Sequence, residues 1–161
     1  MIKNRNITTT TILPVLLIAM CLGCFAAYST TAANRGDTGR TIVGLWRVHY
    51  YEGGQEVFQS FDQWHRDGLE FEVSNVFGLS CQGTWIHKGP GTVQLFHTGW
   101  NFDANGQLTG YFNEVQTVTV SVDGQTYEGT WDIKNYDVDG NFVSEQSGTL
   151  NADRLTVQTP L

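Results

Sequence analysis

Four histidines and one cysteine stand in the β-rich part of the chain: His49, His65, His87, His97 and Cys81. A protein metal centre needs three or four such ligands converging on one point. His87 and His97 sit on the two arms of a hairpin around Lys88-Gly89-Pro90-Gly91, and Cys81 shares the face of His87. That is the nearest approach to a Cys/His cluster. The register of the hairpin is open and no carboxylate is fixed beside it, so neither a metal nor a cofactor is assigned.

Four other segments carry functional groups. Around Asp62, Trp64 and His65 the chain is denser in polar and aromatic groups than a plain turn requires. At a barrel mouth these three could bind or protonate a ligand, His65 titrating near neutral pH, whereas Asp67-Gly68 also reads as an ordinary hairpin turn. Glu114 and Gln116 share the parity of Phe112, Val118 and Val120 along a long strand. If that strand is unbroken and this face is inward, a carboxylate and an amide point into the interior and need partners there. A bulge at Asn113 would expose both, and the two readings stand level. Finally, the stretches beginning at Asn101 and Asn135 share the form Asn-aromatic-Asp-x-Asn/Asp-Gly, like the front of a calcium loop. The twelfth position is Phe112 or Gln146 instead of Glu, so turn formation is the preferred reading. There is no phosphate-cradling glycine loop and no nucleophile elbow.

The elements that must position these groups are strands. From Thr41 onward, β-branched and aromatic runs alternate with Gly, Asp and Asn turn signals. About nine strands are expected, over residues 44–51, 57–64, 69–76, 81–87, 92–102, 107–122, 125–133, 142–150 and 155–158. The third alternates strictly, with Leu69, Phe71 and Val73 on one face and Glu70, Glu72 and Ser74 on the other, the pattern of a half-buried strand. Short loops make sequence neighbours antiparallel neighbours, and closing the sheet removes its two edges. The expected fold is therefore all-β: one closed antiparallel up-and-down barrel of about eight to ten strands, with a β-sandwich second.

The N-terminus reads separately. Lys3 and Arg5 precede an apolar block at residues 12–27, and small residues follow at Ser29, Thr30, Thr31, Ala32 and Ala33. That order is a signal peptide over residues 1–33, followed by a polar linker, 34–42, and the barrel domain, 43–161. The expected location is secreted or periplasmic, with a lipid anchor at Cys24 as the rival processing route. After cleavage Cys81 is the one remaining cysteine, so no intramolecular disulfide can form. The net charge of −7 becomes more negative without Lys3 and Arg5. An acidic surface repels phosphate backbones and anionic lipid, so neither nucleic acid nor membrane insertion of the mature domain is expected.

Gly-x-Trp recurs at Gly44-Leu45-Trp46, Gly83-Thr84-Trp85 and Gly129-Thr130-Trp131. Each glycine shares a face with its tryptophan, so a neighbouring backbone can approach closely while the indole fills the volume. The first triplet, at the start of the first strand, resembles the opening motif of the lipocalin-like (calycin) barrels. The resemblance implies that Trp46 lies under a basic residue from the end of the barrel, for which Arg154 is the only late arginine. Gly44, Trp46 and Arg154 are thus expected to be structural. What the family resemblance implies is a fold and a habit of ligand binding, as in uncharacterised lipocalin-like domains of secreted bacterial proteins.

The expected function is binding of a small, mainly apolar ligand in the barrel interior, at Trp64, His65, Trp85, His97, Trp100, Glu114 and Gln116. Two alternatives come from other classes. One is a small barrel enzyme (isomerase, cyclase or lyase) using His65 or His97 with Glu114. The other is a filled, ligand-free extracellular domain. Oligomeric state is not readable from the sequence.

Overall fold

Turn residues cut the chain where its β-forming runs stop. In the computed structural model, which describes residues 40–76 and 80–159, eight strands lie between those turns. They are β1 (Gly44–Glu52), β2 (Gln55–Trp64), β3 (Leu69–Ser74), β4 (Ser80–Gly89), β5 (Thr92–Phe102), β6 (Leu108–Val120), β7 (Thr126–Asp137) and β8 (Phe142–Leu155). Each pairs antiparallel with the next, and β8 pairs back onto β1, so the sheet is one closed barrel in sequence order. The signal peptide expected over residues 1–33, the lipid anchor at Cys24 and linker residues 34–39 lie outside the described residues.

The expected ninth strand is not a separate element. Residues 151–155 continue β8 along β1, with Val48 opposite Ala152 and Trp46 opposite Arg154. The Asn151-Ala152-Asp153 stretch looks like a turn but is held extended because Ala152 is small enough to face the crowded interior, where it is buried.

The interior has two unlike halves. At the closed end Trp46, Val48, Trp64, Trp85, Val93, Leu95, Val118, Val120, Tyr127 and Leu150 form one apolar cluster. Burial of each aliphatic member is worth roughly 1.5–3 kcal/mol, and edge-on rings add to it. Trp46 meets Tyr127 at 4.8 Å and Trp64 meets Trp85 at 6.0 Å between centroids. Arg154 seals this end, its guanidinium 4.1 Å from the centre of the Trp46 ring. Its Nε donates to the Gly124 carbonyl at 2.6 Å and its Nη1 to that of Val43 at 2.9 Å, while Nη2 reaches Thr41. A planar fork is needed to stack and to satisfy three carbonyls at once. Gly44, with φ of 147°, leaves the space that the guanidinium occupies; a Cβ there would run into Arg154 Nη1.

The other half is polar. On β3 one face is buried, as the alternation implied, but it is Glu70, Glu72 and Ser74, whereas Leu69, Phe71 and Val73 point outward. Neighbours dictate this. Paired residues share a face, and β3 is locked between Trp64 opposite Glu70 on β2 and Cys81 opposite Glu72 on β4, both inward. A one-residue slip would bury the apolar set of β3 but would break its pairing on both sides.

Candidate functional site

The polar half is assembled from one cross-strand row. Glu70 lies opposite Gly83, Gly83 opposite His97, His97 opposite Glu114, and Glu114 opposite Ile133. Gly83 leaves a gap in that row, so Glu70 on β3 reaches His97 on β5 across a strand that presents no side chain between them. The next row places Asp62 opposite Glu72. β6 runs without a bulge from Gly110 to Val120, which settles the open alternative: Glu114 and Gln116 face inward and are buried.

Four carboxylates and one imidazole are thereby buried together: Asp62, Glu70, Glu72, Glu114 and His97. His97 Nε2 is 2.7 Å from Glu114 Oε2, and its Nδ1 is 3.3 Å from Glu70 Oε2 and 3.4 Å from Glu72 Oε2. Gln116 Nε2 donates to Glu114 Oε1 at 2.9 Å and to the Tyr50 hydroxyl at 2.8 Å. Tyr50 in turn donates to Glu72 Oε1 at 3.2 Å. Asp62 accepts from Ser60 at 2.7 Å and from Tyr127 at 3.1 Å. Two buried oxygens, Glu70 Oε1 and Gln116 Oε1, have no hydrogen-bond partner among the described residues.

Proton affinities follow from this crowding. Burial, with Glu72 and Glu70 adding repulsion, pushes the Asp62 carboxyl well above the usual carboxylate range. Burial raises Glu70 as well, against the pull of His97. Burial lifts Glu72 to about 7, again opposed by His97. For His97 burial works against the charge, but Glu114, Glu70 and Glu72 overcome it and raise its proton affinity well above the ordinary value. Burial also pushes the Cys81 thiol upward, so it stays protonated and unreactive.

A cavity of about 200 Å³ opens onto this cluster from the end opposite Arg154. Phe58, Val76, Phe112 and Ile133 form its walls, Asn101, Asn135 and Gln146 are among its polar members, and Glu72 and Glu114 are its most deeply buried members. The arrangement can hold a cationic or hydrogen-bond-donating group against carboxylates, or a metal ion between oxygen and imidazole ligands.

Of the residues expected at the site, His97, Glu114 and Gln116 converge in this cluster. Trp64 and Trp85 are instead part of the closed-end apolar plug. His65 lies in the turn after β2, half-buried and edge-on to Phe71 at 5.5 Å, and forms no hydrogen bond or ion pair with Glu114. Trp100 is on the barrel exterior, 60% exposed, beside Phe71 and Tyr111 in an outer depression of about 410 Å³. Its placement inside is corrected: strand parity allows only one of His97 and Trp100 to face inward, and pairing with Glu114 fixes His97 there. His87 pairs with Val93, toward the hairpin turn, so it does not join His97 or Cys81. Asp103 and Asp137 use their Oδ1 atoms to accept backbone N–H groups of their own turns, Asp103 from Asn105 at 2.8 Å and Asp137 from Asn141 at 2.8 Å.

Sequence reasoning missed Glu70, Glu72, Tyr50 and Tyr127. The available signal was the spacing of Glu70 and Glu72, two carboxylates on one face of one strand, which hydrophobic alternation assigned to solvent.

No protein-family model, curated protein or solved structure matches the chain. The closed eight-stranded antiparallel barrel is consistent with a lipocalin-like fold.

Proposed function

We propose that the protein is an exported lipocalin-like barrel that binds one small molecule in its open half. That molecule has a mainly apolar body and a single cationic or proton-donating head. The observation that carries this reading is the cavity itself: aromatic and aliphatic walls lead inward to two buried carboxylates, Glu72 and Glu114. Apolar walls reward burial of the ligand body, while the acidic floor of Glu72 and Glu114 favours a donor or cationic head over an acceptor. At about 200 Å³ the space suits a ligand of roughly one ring, below the usual range for drug-sized molecules.

The filled closed half explains why the ligand is small. The stack of Arg154 on Trp46 supports the lipocalin comparison, and the basic start, apolar block and small residues of the N-terminus support export. The acidic balance disfavours nucleic acid as a partner, and among the described residues no helix is long and apolar enough to cross a membrane.

Calorimetric titration with three probes of one shape tests the reading. With metal-free protein, benzylamine should bind about tenfold to a hundredfold more tightly than benzyl alcohol, since hydrogen bonds to charged groups contribute about 1.5–3 kcal/mol, and benzoate should not bind. Equal affinities for all three, or a preference for benzoate, would contradict it.

A further inference from the structure

We propose that the barrel interior holds one divalent metal ion of the zinc type, bound by Glu70 Oε2, Glu72 Oε2 and His97 Nδ1. These three atoms all lie within 4.8 Å of one another, and all three residues are buried. The distances from Nδ1 to the two oxygens, 3.3 Å to Glu70 in a long hydrogen bond and 3.4 Å to Glu72, exceed the roughly 2.7–2.9 Å usual for charge-assisted hydrogen bonds. They match instead the edge of a tetrahedron with bonds of about 2.0–2.1 Å, the bond lengths of zinc to nitrogen and oxygen.

Independent features point the same way. Glu70 is wholly buried, and among the described residues its Oε1 has no hydrogen-bond partner, so one oxygen of this carboxylate is left unsatisfied beside the site. The opposite nitrogen of His97, Nε2, donates to Glu114 Oε2 at 2.7 Å. Metal-bound histidines are characteristically oriented by such a carboxylate on the far side of the ring, which leaves the near nitrogen facing the ion. Glu114 is in turn held by Gln116 at 2.9 Å. Among the described residues His97 is the one basic side chain in ion-pair contact with the three glutamates. Imidazole among the ligands disfavours magnesium and calcium, which prefer all-oxygen sites.

With three protein ligands, a fourth position remains for water or a ligand group, and Glu72 is the ligand that also faces the cavity. Coordination needs Nδ1 and both carboxyls free of protons, so the ion displaces every proton these three groups hold, and those protons pass to solvent. The inference does not depend on an organic ligand being bound.

The test uses the full chain with Cys21→Ser and Cys24→Ser, because that Cys-x-x-Cys pair could itself take zinc. After removal of metal with a chelator, Zn²⁺ titrated by calorimetry should bind one to one. Binding should be lost in His97→Gln, be weakened roughly 10–100-fold in Glu114→Gln, and be unchanged in His49→Gln, which alters the outer His49–Glu56 pair. Co²⁺ added to the chain with its barrel residues intact should give the intense visible absorption of a tetrahedral site, a readout that does not depend on any barrel variant folding. No stoichiometric Zn²⁺ binding, binding unaffected by His97→Gln, or a weak octahedral Co²⁺ spectrum would each overturn the proposal. Benzylamine binding without Zn²⁺ binding would overturn it too, while leaving the small-molecule reading in place.

Discussion

Glu72 is where a single side chain sets the behaviour of the folded protein. Its carboxyl titrates at about 7 instead of the ordinary 4.5, because burial penalises its charge more than His97 relieves it. Between those values the folded state holds a proton that the unfolded chain has released. Stability therefore falls as pH rises through that window and levels off above it. Asp62 and Glu70 are shifted in the same direction, and their contributions carry the same sign. His97 also agrees in sign: with its proton affinity raised, the stability it gives is present below its unfolded value of about 6.5 and is lost as pH rises through its folded one. The lowered carboxyls of Asp103, Asp123 and Asp137 act oppositely, but only in more acidic solution, and they are fully exposed and screened. Metal-free protein should thus melt at a higher temperature at pH 5 than at pH 8. Glu72→Gln should flatten that slope, by up to about 3 kcal/mol, and should be the more stable form at pH 8. Thermal melts in chelator across this range decide it; a melting temperature that rises from pH 5 to pH 8 would show that these carboxyls are not buried together.

At the scale of elements, β3 and β4 show what alternation in a sequence can and cannot convey. The period-two pattern of β3 correctly located a strand with one buried face. Which face is buried was not in the strand itself, because it is set by inward Trp64 and Cys81 on the strands either side. The same limit applies to β6: parity grouped Glu114 with Gln116, but only the unbroken pairing with β5 and β7 turns both inward. Gly83 was read from sequence as a point of close approach, and the role is more specific than packing. A Cβ at this position would meet the Phe96 carbonyl and the His97 Cβ, one of them rigid backbone. Gly83→Ala should therefore cost about 1–3 kcal/mol, the usual range for overpacking a tight site. It should also perturb the titration of His97, because the methyl enters the gap through which Glu70 reaches the ring. Chemical denaturation gives the first quantity and the imidazole NMR signals the second. Full stability with an unaltered His97 would mean that the row is not packed as described.

At the scale of the whole molecule, closure was legible and content was not. Regular turn signals, short loops and the edge problem of an open sheet all led to a barrel, and the separation of Trp46 from Arg154 in sequence anticipated the seam where β8 meets β1. The interior was expected to be lined by aromatic residues around an apolar ligand. Instead the aromatics fill the closed half, and the chain places its most buried charges in the other half, where the remaining space is. Hydrophobicity predicts that a residue type is usually buried or exposed, and it fails where a function requires the rarer outcome. The outer depression around Trp100 and Tyr111 is the rival location for a ligand. Mapping benzylamine onto the backbone amides by two-dimensional NMR separates the two. The signals of Phe58, Glu72, Phe112, Glu114 and Ile133 should shift with saturation, while those of Trp46 and Arg154 at the closed end stay fixed. Shifts confined to Phe71, Trp100 and Tyr111 on the outside, or no saturable shifts at all, would contradict a binding site inside the barrel.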